Sequence, residues 1–449
     1  MSNLVVTTRC PISYDRAGGK VTVRKNAGGV SNSLDKLLSK EGGTWICWGD
    51  GTGDREHEVE SHNGYTIVRL FLTQGEKKGF YDGYSNGTLW PLFHYFRERI
   101  KYAPSYFFSY ENANRKFADA VSRLVTERDT IWIHDYQLAL LPGLLRAGGI
   151  RNAILFTWHI PWVSGEFFAL LPESGAVLSS LAASDAVTFH TALYRDNFVG
   201  SCNLLLDRSE DYAKKAFAIP LGIDYEHYSN TGRRVKNPFP ENRKTIFSID
   251  RLDYTKGLTD RVLAVRTLLE RHPELVGKFS YVLVVTPSRT SIKEYINAKR
   301  ELEMNIGRVN GEFGTVNWVP ILYIYKRISE ASLLSYYMHA DVALITPLMD
   351  GLNLVSKEFV AASRHGVLVL SKFAGSSEEL KEAITVNPNS YGEVADAILL
   401  ALTMSREEAF SRLEAMKAKV KKRDLHWWLG RITKRMELQI AEREEFGQV

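Results

Sequence analysis

Ser248-Ile249-Asp250-Arg251-Leu252-Asp253-Tyr254-Thr255-Lys256-Gly257-Leu258 stands between two patterns of different period. Before it, Thr245-Ile246-Phe247 is a short apolar, β-branched run that reads as a buried strand. After it, Val262, Leu263, Val265, Leu268 and Leu269 recur at helical spacing, with Thr259 as the predicted cap and Pro273 as the stop. The turn between them carries Arg251 and Lys256, with Gly257 just before the helix. Two cations at a strand's carboxyl end, beside the free N–H groups of a helix N-terminus, make an anion site, and a diphosphate suits it. A single turn of this kind is more often a solvated surface, so its neighbours decide.

Downstream, apolar runs at 245–249, 281–286, 318–324, 342–346, 367–370 and 384–386 alternate with helical patterns. Strands that alternate with helices form a parallel sheet, whose ligands lie beyond the strands' carboxyl ends. Two further ends carry polar candidates, Ser288-Arg289 and Met349-Asp350-Gly351-Leu352-Asn353-Leu354-Val355-Ser356-Lys357-Glu358. Asp350-Gly351 makes a tight turn, and Asn353-Leu354 offers fresh helix N–H groups to a phosphate. Glu358 follows Leu354 by one helical turn, where a carboxylate can accept from a ribose diol; the plainer alternative is a capped helix with a surface Glu–Lys pair. The segment 407–448 is helical and charged, and its adjacent Trp427 and Trp428 imply docking back across the body. Upstream, 230–243 is polar with two prolines and reads as an interdomain link.

The first half shows the same alternation. Leu4-Val5-Val6-Thr7-Thr8 reads as a strand with Arg9 at its end, followed by a polar loop over 13–25. Asn26-Ala27-Gly28-Gly29-Val30 opens a helix through Leu34, Leu37 and Leu38; paired glycines let a backbone approach a ligand closely. Trp45 to Asp50 is a second strand. The segment 80–95 is aromatic, and Tyr81 and Trp90 sit among Gly, Asp, Ser and Asn, a loop composition in which rings can stack on sugars. A helix over 114–125 leads to a strand at 130–133 that ends in His134-Asp135. A helix over 137–146 leads to a strand at 153–158 that ends in His159, and a strand at 186–189 follows. His134, Asp135 and His159 thus share one sheet edge.

At 449 residues the chain exceeds what one core serves, so two domains of roughly 200 residues are expected. No apolar run approaches a membrane span, and the amino terminus lacks the regions of a signal peptide. Cys10, Cys47 and Cys202 are far apart and suggest neither a disulfide framework nor a metal site, which fits a reducing, cytoplasmic setting. A net charge of +5 without a dense basic stripe fits anionic small molecules better than nucleic acid.

Four motifs in order carry a family resemblance. Arg251-Leu252-Asp253-Tyr254-Thr255-Lys256-Gly257, Asp350 to Glu358, Trp132-Ile133-His134-Asp135-Tyr136, and Ser85-Asn86 with Leu89-Trp90-Pro91-Leu92-Phe93-His94-Tyr95 closely resemble the trehalose-6-phosphate synthase family, collinearly from Arg9 to about Asn387. The resemblance implies an α/β protein with two Rossmann-like doubly wound domains facing a cleft, the GT-B arrangement. Their expected bounds are 1–229 (acceptor-binding) and 244–425 (nucleotide-sugar-binding), with a C-terminal helix, 426–449, crossing back. It implies transfer of glucose from a nucleoside-diphosphate glucose, UDP-glucose foremost, to glucose 6-phosphate, with retention and with neither metal nor other cofactor. By motif, Gly29, His159, Arg251, Lys256, Asp350, Asn353, Leu354 and Glu358 fall on the donor side, and Arg9, Trp48, Tyr81, Trp90, Asp135 and Arg289 on the acceptor side. Asp135, His159, Arg251, Lys256 and Asp350 are the catalytic candidates. Small-molecule substrates, no membrane, a possible homo-oligomer and a separate downstream phosphatase complete the expectation.

The chain departs from the pattern at Thr7-Thr8-Arg9, at His159-Ile160-Pro161-Trp162-Val163, and around Lys326-Arg327-Ile328, where the family contacts the base. Uridine, guanosine and adenosine therefore all stay open. Alternatives are a sister transferase with another phosphorylated acceptor, such as glycerol 3-phosphate, and a non-catalytic sugar-phosphate-binding homologue. A dinucleotide oxidoreductase is disfavoured because the first turn lacks a compact Gly-x-Gly-x-x-Gly.

Overall fold

The computed structural model describes residues 2–25, 29–206, 210–230, 236–289 and 292–445. The chain forms two compact units, Met1–Leu221 with Trp428–Val449, and Gly222–Trp427.

The first unit is built on strands β1 (Ser2–Arg9), β4 (Thr44–Trp48), β5 (Val59–His62), β6 (Tyr65–Leu70), β7 (Asp129–His134), β8 (Ile154–Thr157), β9 (Ala186–Phe189) and β10 (Ala216–Ala218). Their order across the sheet is β10-β9-β8-β7-β1-β4-β6-β5. Only β5 runs antiparallel to its neighbour; the other pairs are parallel. From β1 the chain winds outward through β4 and β6, then returns to β7 on the other side of β1. The carboxyl edge between β1 and β7 is thus a topological switch point, where open α/β sheets bind ligands.

Several local predictions are corrected. Residues 13–25 are not a loop: β2 (Ile12–Ala17) and β3 (Lys20–Lys25) form an antiparallel hairpin turning at Gly18-Gly19, both at positive φ. Beyond Ile12 and Ser13 none of its residues is buried, and Val21 and Val23 are exposed, so no alternating buried face marked it in the sequence. The aromatic segment is not a loop either. Lys78–Leu89 is a helix of the wider, five-residue repeat, with the Trp90 N–H donating to the Ser85 carbonyl, and Trp90–Phe93 continues it. Gly79 and Gly83 leave no room for a Cβ against Ser109 and Tyr106 of the next helix, Pro104–Leu124, which begins ten residues before the predicted start at 114. The predicted helix over 137–146 is a short turn, Tyr136–Leu138, and then Leu141–Ala147, restarted at Pro142, which needs no N–H partner in a first turn.

Cys10 and Cys47 form a disulfide. The pairing of β1 with β4 brings together residues 37 apart in sequence, which spacing alone could not reveal. The cysteines therefore give no argument for a reducing compartment. Cys202 is buried, and burial pushes its thiol up to about 12.

The second unit holds β11 (Lys244–Arg251), β12 (Phe279–Thr286), β13 (Ile321–Tyr325), β14 (Val342–Ile345), β15 (Val367–Ser371) and β16 (Ile384–Val386). All are parallel, in the order β13-β12-β11-β14-β15-β16, so counted within the unit the order is 3-2-1-4-5-6, that of a dinucleotide-binding sheet. Ile246, Leu283, Leu344 and Val369 join the core on one face. Phe247, Val282, Val284, Ile345 and Leu368 join the core on the other. Two buried faces explain why these strands read as unbroken apolar runs. The switch point lies between β11 and β14.

The boundary between units falls at Leu221–Gly222. The segment 236–243 lies in the second unit, where Phe239 packs on Phe247 and Tyr336; residues 231–235 of the expected link lie outside the described residues. Near the carboxyl end, helices span Arg406–Lys422 and Leu425–Glu445, and the last four residues lie outside the described ones. Trp428 is fully buried, its ring 5.4 Å from that of Trp132. Among the described residues, no helix is long and apolar enough to cross a membrane.

Candidate functional site

In the first unit the adjacent strands β9, β8, β7, β1 and β4 deliver, at or just past their carboxyl ends, His190, His159, His134 with Asp135, Arg9, and Trp48. Parallel strands in register put these residues in one row. The Arg9 guanidinium donates through Nη2 to the Tyr81 hydroxyl at 2.7 Å, and the Trp48 and Tyr81 rings lie 5.5 Å apart. The Lys77 ammonium, which the sequence reading did not single out, sits 5.7 Å from the centre of the Trp48 ring. A guanidinium, an ammonium, a phenol and an indole side by side suit a phosphorylated sugar. Trp90 is placed differently: its ring packs on His94 at 4.2 Å and on Tyr136 at 5.8 Å and is only 6% exposed. Gly29 begins the helix Gly29–Glu41, while Asn26, Ala27 and Gly28 lie outside the described residues.

Asp135 stands at φ +73°, a region that costs a non-glycine residue about 1–3 kcal/mol. Its neighbours hold it there. Its N–H donates to the Thr157 carbonyl at 2.9 Å, and its carboxylate accepts the Tyr136 N–H at 3.0 Å. Tyr136 is fixed in turn, its carbonyl accepting from the Tyr110 hydroxyl and its own hydroxyl donating to Asn86.

Beside Asp135 the three histidines touch in series. His134 Nδ1 lies 3.0 Å from His159 Nε2, and His159 Nδ1 lies 3.0 Å from His190 Nε2. The Leu221 N–H donates to His190 Nδ1 at 3.4 Å. Burial lowers His159 to about 3, and burial, reinforced by the other two rings, holds His134 well below the usual imidazole range. His190 occupies the strand end next to that of His159. That position was the available signal, and the sequence reading passed over it.

In the second unit the switch point carries the opening motif. Gly257 caps the helix Leu258–Arg271 at φ +62°, and a Cβ there would meet the Thr346 carbonyl at 2.7 Å, so the start is set by Gly257 and Thr259 lies inside the first turn. Arg251 ends β11 and is exposed. Lys256 Nζ lies 2.5 Å from Asp350 Oδ2. Asn353 donates from Nδ2 to the same oxygen at 3.0 Å and, at φ +71°, accepts the Ser356 N–H as the cap of the helix Leu354–Ala362. Arg261, fully buried, pairs with Asp250 at 2.7 Å and donates to the Lys256 carbonyl at 2.9 Å and to Thr346 Oγ1 at 3.2 Å. It ties the end of β11, the Lys256 turn and the end of β14 together. Its sequence signal was a cation within the helix's buried stripe, beside Val262.

Glu358 and Lys357 do not form a surface pair. Lys357 is buried against Glu379 at 2.5 Å. Glu358 accepts from the Tyr337 hydroxyl at 3.0 Å; burial raises its carboxyl, against the hydroxyls of Tyr337 and Tyr228. Arg289, at φ +46°, pairs through Nη1 with Asp253 at 3.2 Å and bonds Tyr295, and its side chain is 7% exposed. Burial pushes the Asp253 carboxyl up, but Arg289 foremost, with Arg251, Lys256 and the Thr255 N–H, holds it below its ordinary value. Of the five non-glycine residues at positive φ among those described, Asp135, Arg289 and Asn353 are residues the sequence had singled out; Asn63 and Tyr95 are the others. Strained backbone concentrates at working sites.

Residues 1–438 match the pattern of glycosyltransferase family 20. The chain is 39% identical to a bifunctional trehalose-6-phosphate synthase/phosphatase of Thermoproteus tenax over 95% of its own length, spanning 62% of that longer protein. It is 34% identical to a trehalose-6-phosphate synthase of Klebsiella pneumoniae, over 99% of this chain and 97% of that one. Among solved structures, an E. coli protein described as trehalose-6-phosphate bound with UDP-2-fluoro glucose superposes with a TM-score of 0.89 at 32% identity, over 97% of this chain and 99% of that one. A UDP-forming α,α-trehalose-phosphate synthase from Burkholderia xenovorans, in complex with glucose-6-phosphate, gives a TM-score of 0.88 at 30% identity, over 97% of this chain and 100% of that one. The fold is the GT-B fold of these enzymes. With a matching fold and a family pattern over nearly its whole length, the chain belongs to glycosyltransferase family 20, the trehalose-6-phosphate synthase family.

Proposed function

We propose that this glycosyltransferase moves glucose from a nucleoside-diphosphate glucose, UDP-glucose foremost, to C1 of glucose 6-phosphate, with retention and without a metal, giving α,α-trehalose 6-phosphate. The observation that carries the reading is the Lys256–Asp350–Asn353 cluster at the β11/β14 switch point, with a helix N-terminus opening beside it. Lys256 and Asp350 pair with each other. With a nucleotide sugar bound, Asp350 is free to accept from the glucose hydroxyls, while Lys256 and Arg251 face the diphosphate, where charge develops as the glycosyl bond breaks. The N–H groups at Asn353-Leu354 add a donor to that phosphate, and Glu358 accepts from the ribose. His159 serves the donor sugar as a neutral imidazole.

Arg9, Tyr81, Trp48 and Lys77 suit the acceptor, with cations for its phosphate and rings for its apolar face. Trp90 acts from a packed position, Asp135 lies by the reacting sugars, Gly29 approaches the donor, and Arg289 exchanges Asp253 for a phosphate oxygen. No protein nucleophile is needed: the departing phosphate takes the acceptor's proton on the retained face. The relatives solved with UDP-2-fluoro glucose and with glucose-6-phosphate support both substrates. Phosphorylated substrates do not cross membranes unaided, which supports cytoplasmic residence.

Replacing Lys256 tests the reading. Lys256→Ala is expected to lower kcat about 10²- to 10³-fold with the fold intact by circular dichroism, as loss of one charge-stabilising donor does elsewhere. Unchanged turnover would remove Lys256 from the mechanism.

A further inference from the structure

We infer that His190 is a positioning residue: through its hydrogen bond it fixes the ring orientation and proton placement of His159. The inference rests on the reading of His159 as a donor-sugar contact, and it follows from one unambiguous donor. A backbone N–H can only donate, so His190 Nδ1, facing the Leu221 N–H at 3.4 Å, is the acceptor. His190 neutral therefore carries its proton on Nε2, which points at His159 Nδ1, 3.0 Å away. His159 Nδ1 is thereby an acceptor, its proton sits on Nε2, and Nε2 faces His134 Nδ1 at 3.0 Å. The reverse assignment would set an Nδ1–H of His190 against the Leu221 N–H, two donors facing each other. One main-chain amide thus orders three rings in sequence.

The series ends at His134 Nε2, which is buried without a hydrogen-bond partner among the described residues. A buried N–H with no partner is costly, and the His134 ring has few alternatives, since it is 2% exposed and packed on Trp132. His159 is the one member of the series that is not fully buried. Its Nε2–H is the group that can leave His134 and donate to an incoming sugar oxygen. His190 keeps the ring plane in place during that exchange, because its bond is to the opposite nitrogen. The arrangement is the metal-free counterpart of the outer partners that orient metal-bound imidazoles.

The direct test is NMR of deuterated, ¹⁵N-histidine-labelled enzyme at neutral pH. The expected result is protonation of all three rings on Nε2 only, with a scalar coupling across the His190 Nε2–H···Nδ1 His159 bond. A protonated Nδ1 on His159, or no coupling between the two rings, overturns the inference without any variant being made. Kinetics supply the second arm. His190→Leu is expected to lower kcat/KM for the nucleotide sugar about tenfold, the worth of one neutral hydrogen bond, while KM for the acceptor stays put. His190→Gln, whose amide can accept from Leu221 and donate to His159, is expected to restore most of that loss. If His190→Leu and His190→Gln are equally impaired, a positioning hydrogen bond is not what His190 supplies. If the coupling is present but His159→Ala turns over normally, the relay stands and the placement of His159 at the donor fails.

Discussion

Glu358 shows what a single residue contributes beyond its motif. Its carboxyl is raised by burial and steadied by two tyrosine hydroxyls, an arrangement that opposes folding with the charge in place. A group whose folded pKa is raised binds more protons when folded, so its share of stability falls as pH climbs through that value. Glu358→Gln is accordingly expected to leave Tm unchanged or higher at neutral pH. It should raise KM for the nucleotide sugar about tenfold, as loss of a charged acceptor to a hydroxyl pair does. A lower Tm with unaltered KM would make Glu358 structural. The histidine series works in the other direction. His159 titrates near 3 when folded against about 6.5 when unfolded, and His134 is lowered too, so the unfolded chain binds more protons between those values. Their stability is fully present above pH 6.5 and is lost as pH falls, at up to about 1.4 kcal/mol per pH unit for each. Denaturant melts between pH 7 and 5 should show this slope, and His134→Phe should flatten it. At this scale the sequence exposed residues whose type is unusual for their place, such as Arg251 and Lys256 in a strand-to-helix turn. It hid Arg261, Lys77 and His190, whose importance depends on partners 5 to 85 residues away.

Elements were legible wherever burial dictates composition. The strands of the second sheet, covered on both faces, are continuous apolar runs and were placed to within a few residues. The β2–β3 hairpin is buried only at Ile12 and Ser13 and has no alternating face to pattern it, and the wide-repeat helix at 78–89 has glycines where its neighbour presses close, so both read as loops. The Cys10–Cys47 bond was invisible because strand pairing, not spacing, brings its ends together. It ties β1 to β4 immediately beside Arg9 and Trp48, closing a loop of 37 residues. A closure of that length is worth about 4 kcal/mol on the chain-entropy view. The Cys10→Ser/Cys47→Ser double variant should unfold at lower denaturant by an amount near that figure. An unchanged midpoint would mean that strand pairing alone holds this end of the sheet.

At the scale of the molecule, both sheets start in the middle, wind one way and return to wind the other, and both place their candidate residues at the resulting switch points. Asp135 and Arg9 stand at one; Lys256, Asp350 and Asn353 stand at the other. The alternation of strands and helices was enough to predict those edges, and the family resemblance supplied which residues on them to watch. Side-chain pairing within each edge, such as Lys256 with Asp350 and Arg289 with Asp253, came only with the structure. The central claim is that the two sets of residues serve one transfer between a nucleotide sugar and a sugar phosphate. The measurement that tests it most directly is nucleoside diphosphate release from UDP-, GDP- and ADP-glucose, with and without glucose 6-phosphate, with the product identified. The account predicts release that depends on glucose 6-phosphate, is fastest with UDP-glucose, and yields a non-reducing disaccharide phosphate. Release only with another phosphorylated acceptor such as glycerol 3-phosphate, or saturable binding without release from any donor, would contradict it.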